Sequence, residues 1–532
     1  MRILWSSNSP FCATGYGQQT ACATLHLKEM GHDVAILAFY GLQGSRVDWN
    51  GIPIYPNNPQ DYGIKHSPMF YKDFKADIFI SLVDVWPLAS LNRELNWVPW
   101  MPVDHDPAPP EVIKTLKNAL GLVKPIAMSK FGQKQLAAND IDAYYIPHTV
   151  DCEMFVPNLD WRHQARVKYN WEDKFVIGTI GTNHIGDRKN WRVSLKAIKE
   201  FDRMHPGEII YYMHTNPMDE RGEVDLVRLR NEYKIDDITK FPSQADMVVG
   251  IPTETMARMY NSLDVFLLPS KGEGFGVPLI ESMACGVPVI TTACTAQTEI
   301  MENAGGWLIK DLKPWFTPQG SWQFDCTWEE VVERLEQAYQ AKKDGSIINH
   351  QKLARSRALE YDDKIIYKDY WPPVLEDIEK RIKQPKNLEG IQQWRRAFIP
   401  QSCLPRKVLD IGCGLKTPYY SVLKDLGDYT GVDNRFKDDE SEDGRRLIKA
   451  DACDLSMFSD GEFGFVWMSE ILEHIENPEK ALAEAKRVGK HGVCLFSTPQ
   501  TQAFKMDPEH RIVDRNKIPY AVVATGDGVL IW

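Results

Sequence analysis

Short, unbroken apolar runs recur along the chain and alternate with longer stretches in which apolar positions fall every three to four residues. The runs are Arg2–Trp5, Val34–Ala38, Ile78–Leu82, Val176–Ile180, Ile209–Met213, Val265–Pro269 and Val287–Thr291. Runs without polar alternation predict strands covered on both faces, and their alternation with helical patterns predicts α/β architecture with parallel sheets. Between the first two strands the spacing predicts a helix over Gly17–Met30, closed by Gly31. A second strand–helix series starts near Phe175 and a third at Lys407–Ile411. Thr327–Lys383 reads as helical and charge-rich, and the following KQPKNLEGIQQW as a linker. The acidic run Lys437–Asp443 reads as a solvated loop, and the terminal AVVATGDGVLIW as one hairpin.

With 532 residues the chain has room for three or four domains. It is 43% hydrophobic and 25% charged, which excludes a disordered, collagenous or coiled-coil chain. The net charge of −11 is spread evenly, with 12 basic and 16 acidic side chains in residues 1–160 and 20 and 23 in residues 386–532. No segment is basic by count, so binding to long nucleic acids is disfavoured. The ten cysteines form no C-x-x-C pair and no zinc-like Cys/His spacing, so reduced thiols, a cytoplasmic protein and no metal are expected. The start, MRILWSSNSPF, reads as a first strand and not as a signal peptide. No apolar run approaches the roughly 20 residues that span a bilayer. Peripheral membrane contact and oligomeric state are left open.

The most informative segment is PSKGEGFGVPLIESMACGVPVITT, Pro269–Thr292. It reads as a glycine turn after a strand, then a short helix with Pro278 in its first turn, then the next strand. Such a loop presents backbone N–H groups and a helix N-terminus at a sheet's carboxyl edge, which suits a diphosphate. Glu273 and Glu281 are placed to accept hydrogen bonds from sugar or ribose hydroxyls. The plainer alternative makes both Glu solvent-facing residues of a helix start.

This segment resembles the donor-site signature of family 4 glycosyltransferases with the GT-B fold. SKFGQKQLAANDIDAYYIPHTVDCEMFVP (Ser129–Pro157), MYNSLDVFLLPS (Met259–Ser270) and RALEYDDKIIYKDYWPPVLEDI (Arg357–Ile378) resemble other stretches of that family. The resemblance covers about residues 1–383. It implies two Rossmann-like domains, 1–160 for the acceptor and 161–383 for the nucleotide-sugar donor. It also implies a metal-independent transfer with retention of configuration. Carried over, Glu273 holds the sugar, Glu281 the ribose, and Gly274, Phe275 and Gly276 shape the donor loop. The family's usual Arg after the first strand of the second domain is replaced by Thr182 or Asn183, and Arg188 and Lys189 stand next as diphosphate cations. In the first domain the resemblance places Gly15 and Gly17 beside the sugar phosphates, and Asp104 and His105 at the transferred sugar or acceptor. His148 reads as a loop residue near the cleft.

RKVLDIGCGLKTPYY (Arg406–Tyr420), YTGVDN, KADACDL and FGFVWMSEILEHIENPEKALAEAKRVGKHGVCLFSTP resemble the successive motifs of class I S-adenosylmethionine-dependent methyltransferases. A nicotinamide cofactor is the rival reading of the glycines. The resemblance covers about residues 390–532. It implies that Asp410, Gly412 and Gly414 line the methionine end of S-adenosylmethionine. Asp433 then takes the ribose and Asp451 and Ala452 the adenine edge, with Glu470, Glu473 and His474 near the transfer site. The segment is short for the class. The expectation is a third Rossmann-like domain and a bifunctional enzyme that glycosylates a glycan or small acceptor and methylates the same product. Two alternatives stay open: a modified nucleic-acid base as acceptor, or a last domain that only binds a partner.

Overall fold

The computed structural model describes residues 1–56, 61–91, 95–119, 121–183, 186–217, 224–243, 245–246, 250–383, 407–415, 417, 419–424, 426–442, 444–469, 471–496, 513, 521–522 and 528–531. They form two compact units, residues 1–382 and 383–532. Most of the sequence expected to be a linker, from residue 384, lies outside the described residues.

The first unit holds two parallel sheets. One is built from β1 (Arg2–Asn8), β2 (Asp33–Tyr40), β3 (Val47–Trp49), β4 (Ile52–Pro56), β5 (Ile78–Leu82), β6 (Trp97–Met101), β7 (Ile126–Ala127) and β8 (Tyr144–Tyr145). Its order is β3-β4-β2-β1-β5-β6-β7-β8, and only β3 runs antiparallel to its neighbour. The other comprises β9 (Phe175–Ile180), β10 (Ile209–His214), β11 (Thr239–Lys240), β12 (Val265–Leu268), β13 (Val289–Thr292) and β14 (Trp307–Ile309), in the order β11-β10-β9-β12-β13-β14. Every residue of β5, β6, β9, β12 and β13 is buried, as unbroken apolar runs require when helices cover both faces.

Helix α1 (Gly15–Glu29) starts two residues before the expected Gly17, because the Thr14 hydroxyl caps it by accepting from the Gly17 N–H at 3.0 Å. An unexpected antiparallel hairpin, β15 (Leu312–Phe316) and β16 (Trp322–Cys326), follows β14. Thr327–Lys383 is helical and returns to the first sheet. There Trp371 is fully buried, its ring 5.4 Å from Trp100 and 6.2 Å from Trp5. No helix among the described residues is long and apolar enough to cross a membrane.

The second unit has one sheet of β17 (Lys407–Ile411), β18 (Asp428–Val432), β19 (Glu440–Glu442), β20 (Arg445–Ile448), β21 (Phe465–Ser469), β22 (Gly492–Phe496), β23 (Ala521–Val522) and β24 (Gly528–Ile531). The order is β19-β20-β18-β17-β21-β22-β24-β23. The strands from β20 to β22 are parallel, and β24 joins β22 antiparallel. The expected terminal hairpin is present as β23 against β24. The acidic run, expected as a loop, instead holds the edge strand β19. Gly444 lets the chain reverse into β20 with a φ of +76°, a region open to glycine.

Candidate functional site

In doubly wound sheets the loops at the carboxyl ends of the strands converge on one edge, where ligands bind. In the first unit the loops after β6 and β12 meet there. A Cβ on Gly272 would lie 2.3 Å from the Asp104 carbonyl oxygen, and one on Gly274 would lie 2.2 Å from Pro102 Cβ. Two backbones approach so closely that only glycine fits. Gly276, with φ +108°, is the N-cap of α2 (Val277–Ala284).

Glu273 is the centre of the arrangement. Arg188 Nη1 donates to Glu273 Oε2 at 2.9 Å and to the Gly272 carbonyl at 2.7 Å. Lys189 Nζ donates to Glu273 Oε1 at 2.5 Å. Burial raises the Glu273 carboxyl, but Arg188 and Lys189 outweigh it and hold the group at about 2. Burial lowers the Lys189 ammonium more than Glu273 raises it, so it loses its proton more easily than an exposed lysine. Adjacent residues on one loop therefore do reach the same carboxylate. Lys271, absent from the sequence expectations, adds a third cation: its Nζ lies 3.7 Å from Asp325 Oδ2 and 4.7 Å from the centre of the Trp315 ring. Its position two residues before Glu273 was the available signal.

Asp104 Oδ1 lies 2.7 Å from His105 Nδ1, and Asp104 Oδ2 lies 3.9 Å from Arg188 Nε. Burial raises the Asp104 carboxyl, yet His105 and Arg188 bring it below the ordinary carboxylate range. His105 is buried, and its Nε2 lies 3.1 Å from the Thr317 hydroxyl between β15 and β16. The Asp106 N–H donates to the Trp322 carbonyl at 3.0 Å. The hairpin thus braces the loop that carries Asp104.

The other expected donor residues divide. A Cβ on Gly15 would meet open space, whereas one on Gly17 would strike the Cys12 carbonyl at 2.3 Å, so only glycine fits there. Phe275 is buried, its ring 5.4 Å from His148 and 5.6 Å from Tyr361. His148 is pushed down to about 3 by burial and is neutral. Glu281 is buried and accepts from Tyr260 Oη at 2.8 Å; burial raises it to about 7.

In the second unit Gly412 and Gly414 follow β17 with φ of +74° and +68°. Asp433, just past β18, accepts from the Gly414 N–H at 2.9 Å and from Arg435 Nε and Nη2 at 2.8 Å each. This joins the glycine turn to the strand tip. Asp410 is fully buried and accepts from Tyr429 Oη at 2.8 Å; burial raises it to about 7. Asp451 is exposed and accepts from the Cys453 N–H at 2.8 Å, and Ala452 is buried beside it. Glu473 is buried and His474 exposed. Glu470 lies outside the described residues.

Residues 227–314 match the family model described as "Glycosyl transferases group 1", and residues 409–496 match the one described as "Methyltransferase domain". A GDP-mannose-dependent alpha-(1-6)-phosphatidylinositol monomannoside mannosyltransferase of Mycolicibacterium smegmatis is 26% identical over 153 residues, 27% of this chain and 37% of that one. O-antigen chain mannosyltransferase B of Escherichia coli is 40% identical over 55 residues, 10% and 14%. The chain therefore spans well under half the length of these curated relatives. Sucrose-phosphate synthase from Thermosynechococcus elongatus superposes with a TM-score of 0.54 at 15% identity, covering 75% of this chain and 98% of that one. HepE from Anabaena in complex with UDP-glucose gives 0.53 at 14%, covering 71% and 100%. The first unit thus has the GT-B arrangement of two Rossmann-like domains, and the second unit's parallel sheet contains the segment similar to the methyltransferase model.

Proposed function

We propose that the first unit is a glycosyltransferase that moves a hexosyl group from a nucleotide-sugar to a glycan or small acceptor. The observation that carries this reading is the convergence of Arg188 and Lys189 on Glu273 at the edge where the loops after β6 and β12 meet. With donor present, the diphosphate takes the place of the Glu273 carboxylate between these cations, and Glu273 turns to the sugar hydroxyls. Residues 1–160 then supply the acceptor side, with Asp104 and His105 at the reacting sugar, and residues 161–383 the donor side. Glu281 faces the ribose, Gly15 leaves room for the phosphates, and the N–H groups at Gly274 and Gly276 meet their oxygens.

In this reading the bond from the anomeric carbon to the diphosphate breaks, and the acceptor oxygen forms its bond on the same face. The acceptor proton passes to the departing phosphate oxygen, so configuration is retained. Three protein cations, Arg188, Lys189 and Lys271, neutralise the leaving group without a metal ion. Preorganised charge of this kind is the largest single catalytic contribution open to the site.

The second unit is proposed to bind S-adenosylmethionine, with Asp433 on the ribose, Asp451 and Ala452 at the adenine, and Asp410 supporting the Gly412–Gly414 turn. Bound there, it supplies an electrophilic methyl group; Glu473 and His474 stand near the acceptor atom. Methylation of the glycosylated product is the economical link between the two units. A thermal-shift screen tests both readings. Nucleoside diphosphates should raise Tm in the presence of EDTA, and so should S-adenosylmethionine. No shift with any nucleotide or nucleotide-sugar overturns the first reading, and no shift with S-adenosylmethionine the second.

A further inference from the structure

Helix α3 (Asp363–Asp369) packs against α1 on the first sheet of the first unit. Cys22 and His26 stand four apart on α1 and so share one face. The first residue of α3, Asp363, meets them. Its Oδ2 lies 3.6 Å from His26 Nε2 and 3.8 Å from Cys22 Sγ, and one ligand atom from each of the three lies within 4.8 Å of the others. We propose that Cys22, His26 and Asp363 form a zinc site that fastens α3 to α1.

Three observations support an ion over a plain polar contact. First, bonds of about 2.0 Å to N and O and about 2.3 Å to S, at tetrahedral angles, separate N from O by about 3.3 Å and S from O by about 3.5 Å. The observed 3.6 Å and 3.8 Å to Asp363 are within a few tenths of an ångström of these values, and the Cys22–His26 pair, within 4.8 Å, closes toward the roughly 3.5 Å that S and N need by rotation of the Cys22 side chain. Second, His26 Nε2 is buried with no hydrogen-bond partner. A buried nitrogen aimed at a thiol and a carboxylate is costly unless something accepts its lone pair. Third, the ring is already oriented for ligation. Its Nδ1 faces Glu29 Oε2 at 3.5 Å, the carboxylate–histidine pairing that supports metal ligands, and the Tyr367 ring holds it edge-on at 4.4 Å.

A mixed S, N, O donor set disfavours Mg²⁺ and Ca²⁺ and suits zinc, which accepts all three ligand types in tetrahedral geometry. Burial pushes the Cys22 thiol up to about 12 and Asp363 up to about 6. The ion replaces the thiol proton, which leaves to solvent. Water completes the fourth position beside the half-buried Cys22. The site is independent of the donor reading, since none of its residues belongs to the donor cluster.

The test uses the full chain purified without chelator. About one zinc per chain is expected by elemental analysis. The chelated protein titrated with Co²⁺ should show a thiolate-to-cobalt charge-transfer band. Cys22→Ser and His26→Asn should remove the band and weaken zinc at least 100-fold. Glu29→Gln should weaken it about tenfold. Cys12→Ser should behave as wild type. Zinc should raise the Tm of wild type and leave that of His26→Asn unchanged, which keeps the test decisive if Cys22→Ser folds poorly. Absence of zinc together with absence of a thiolate band overturns the proposal, as does wild-type affinity in His26→Asn.

Discussion

The Lys189 ammonium stands 2.5 Å from the Glu273 carboxylate, and both side chains are buried. A buried cation and anion this close are each the other's solvent, and a polyanionic ligand competes for the same cation. Lys189→Ala should lower glycosyl transfer at least about 100-fold, the scale of losing one preorganised donor. Glu273 keeps Arg188 as a partner in that variant, so the fold should persist with a Tm change of a few degrees. Glu273→Ala should also abolish transfer. Product formation and circular dichroism read the two effects separately. Near-normal rates in Lys189→Ala would remove it from the site.

Glu281 offers a test by pH. Burial raises its folded pKa to about 7, above the unfolded value of roughly 4.3. Its contribution is therefore fully present below about pH 4 and is lost as the pH rises through 7, where a buried carboxylate must form. The loss amounts to at most about 4 kcal/mol. Glu281→Gln keeps an acceptor for Tyr260 and removes the titration. Its stability relative to wild type should rise between pH 5 and pH 8, measured by urea unfolding. A flat difference would show that Glu281 does not titrate there.

The strands, the glycine loop and the cation pair were legible because each is a local signal: an apolar run, a turn residue, two adjacent charges. The hairpin β15–β16 was not. Its sequence, LKPWFTPQGSWQFDC, interrupts its apolar positions with prolines and glycine, and what it braces lies far away in the chain. His105 and Thr317 are 212 residues apart. Cys22 and Asp363 are 341 apart, so their contact leaves no trace in local spacing. At Gly17 and Phe275 the motif does not show the tight packing against Cys12 and the burial that the neighbouring atoms reveal.

That hairpin yields a third prediction. The Thr317 hydroxyl donates to the Ser321 carbonyl at 2.9 Å and lies 3.1 Å from His105 Nε2. Thr317→Val keeps the volume and removes the polar contact, so His105 and with it Asp104 lose one fixed orientation. The turnover should fall about tenfold or more while the affinity for nucleoside diphosphate stays unchanged. Thr317→Ser should restore the rate. Equal losses of turnover and nucleotide affinity would mean that the hairpin merely holds the fold together.

In the second unit Asp433 ties the Gly414 N–H to the tip of β18, and Arg435 occupies its remaining acceptor positions. A ribose would compete with Arg435, whose side chain is largely exposed and can swing into water at little cost. Asp433→Ala should therefore weaken S-adenosylmethionine at least tenfold by calorimetry, while Arg435→Ala should leave the affinity equal or raise it. The glycine turn itself is held by backbone conformation at Gly412 and Gly414, so both variants should fold. If Asp433→Ala binds as tightly as wild type, the ribose lies elsewhere. A loss of binding in Arg435→Ala would instead make the guanidinium, and not the carboxylate, the group that receives the ligand.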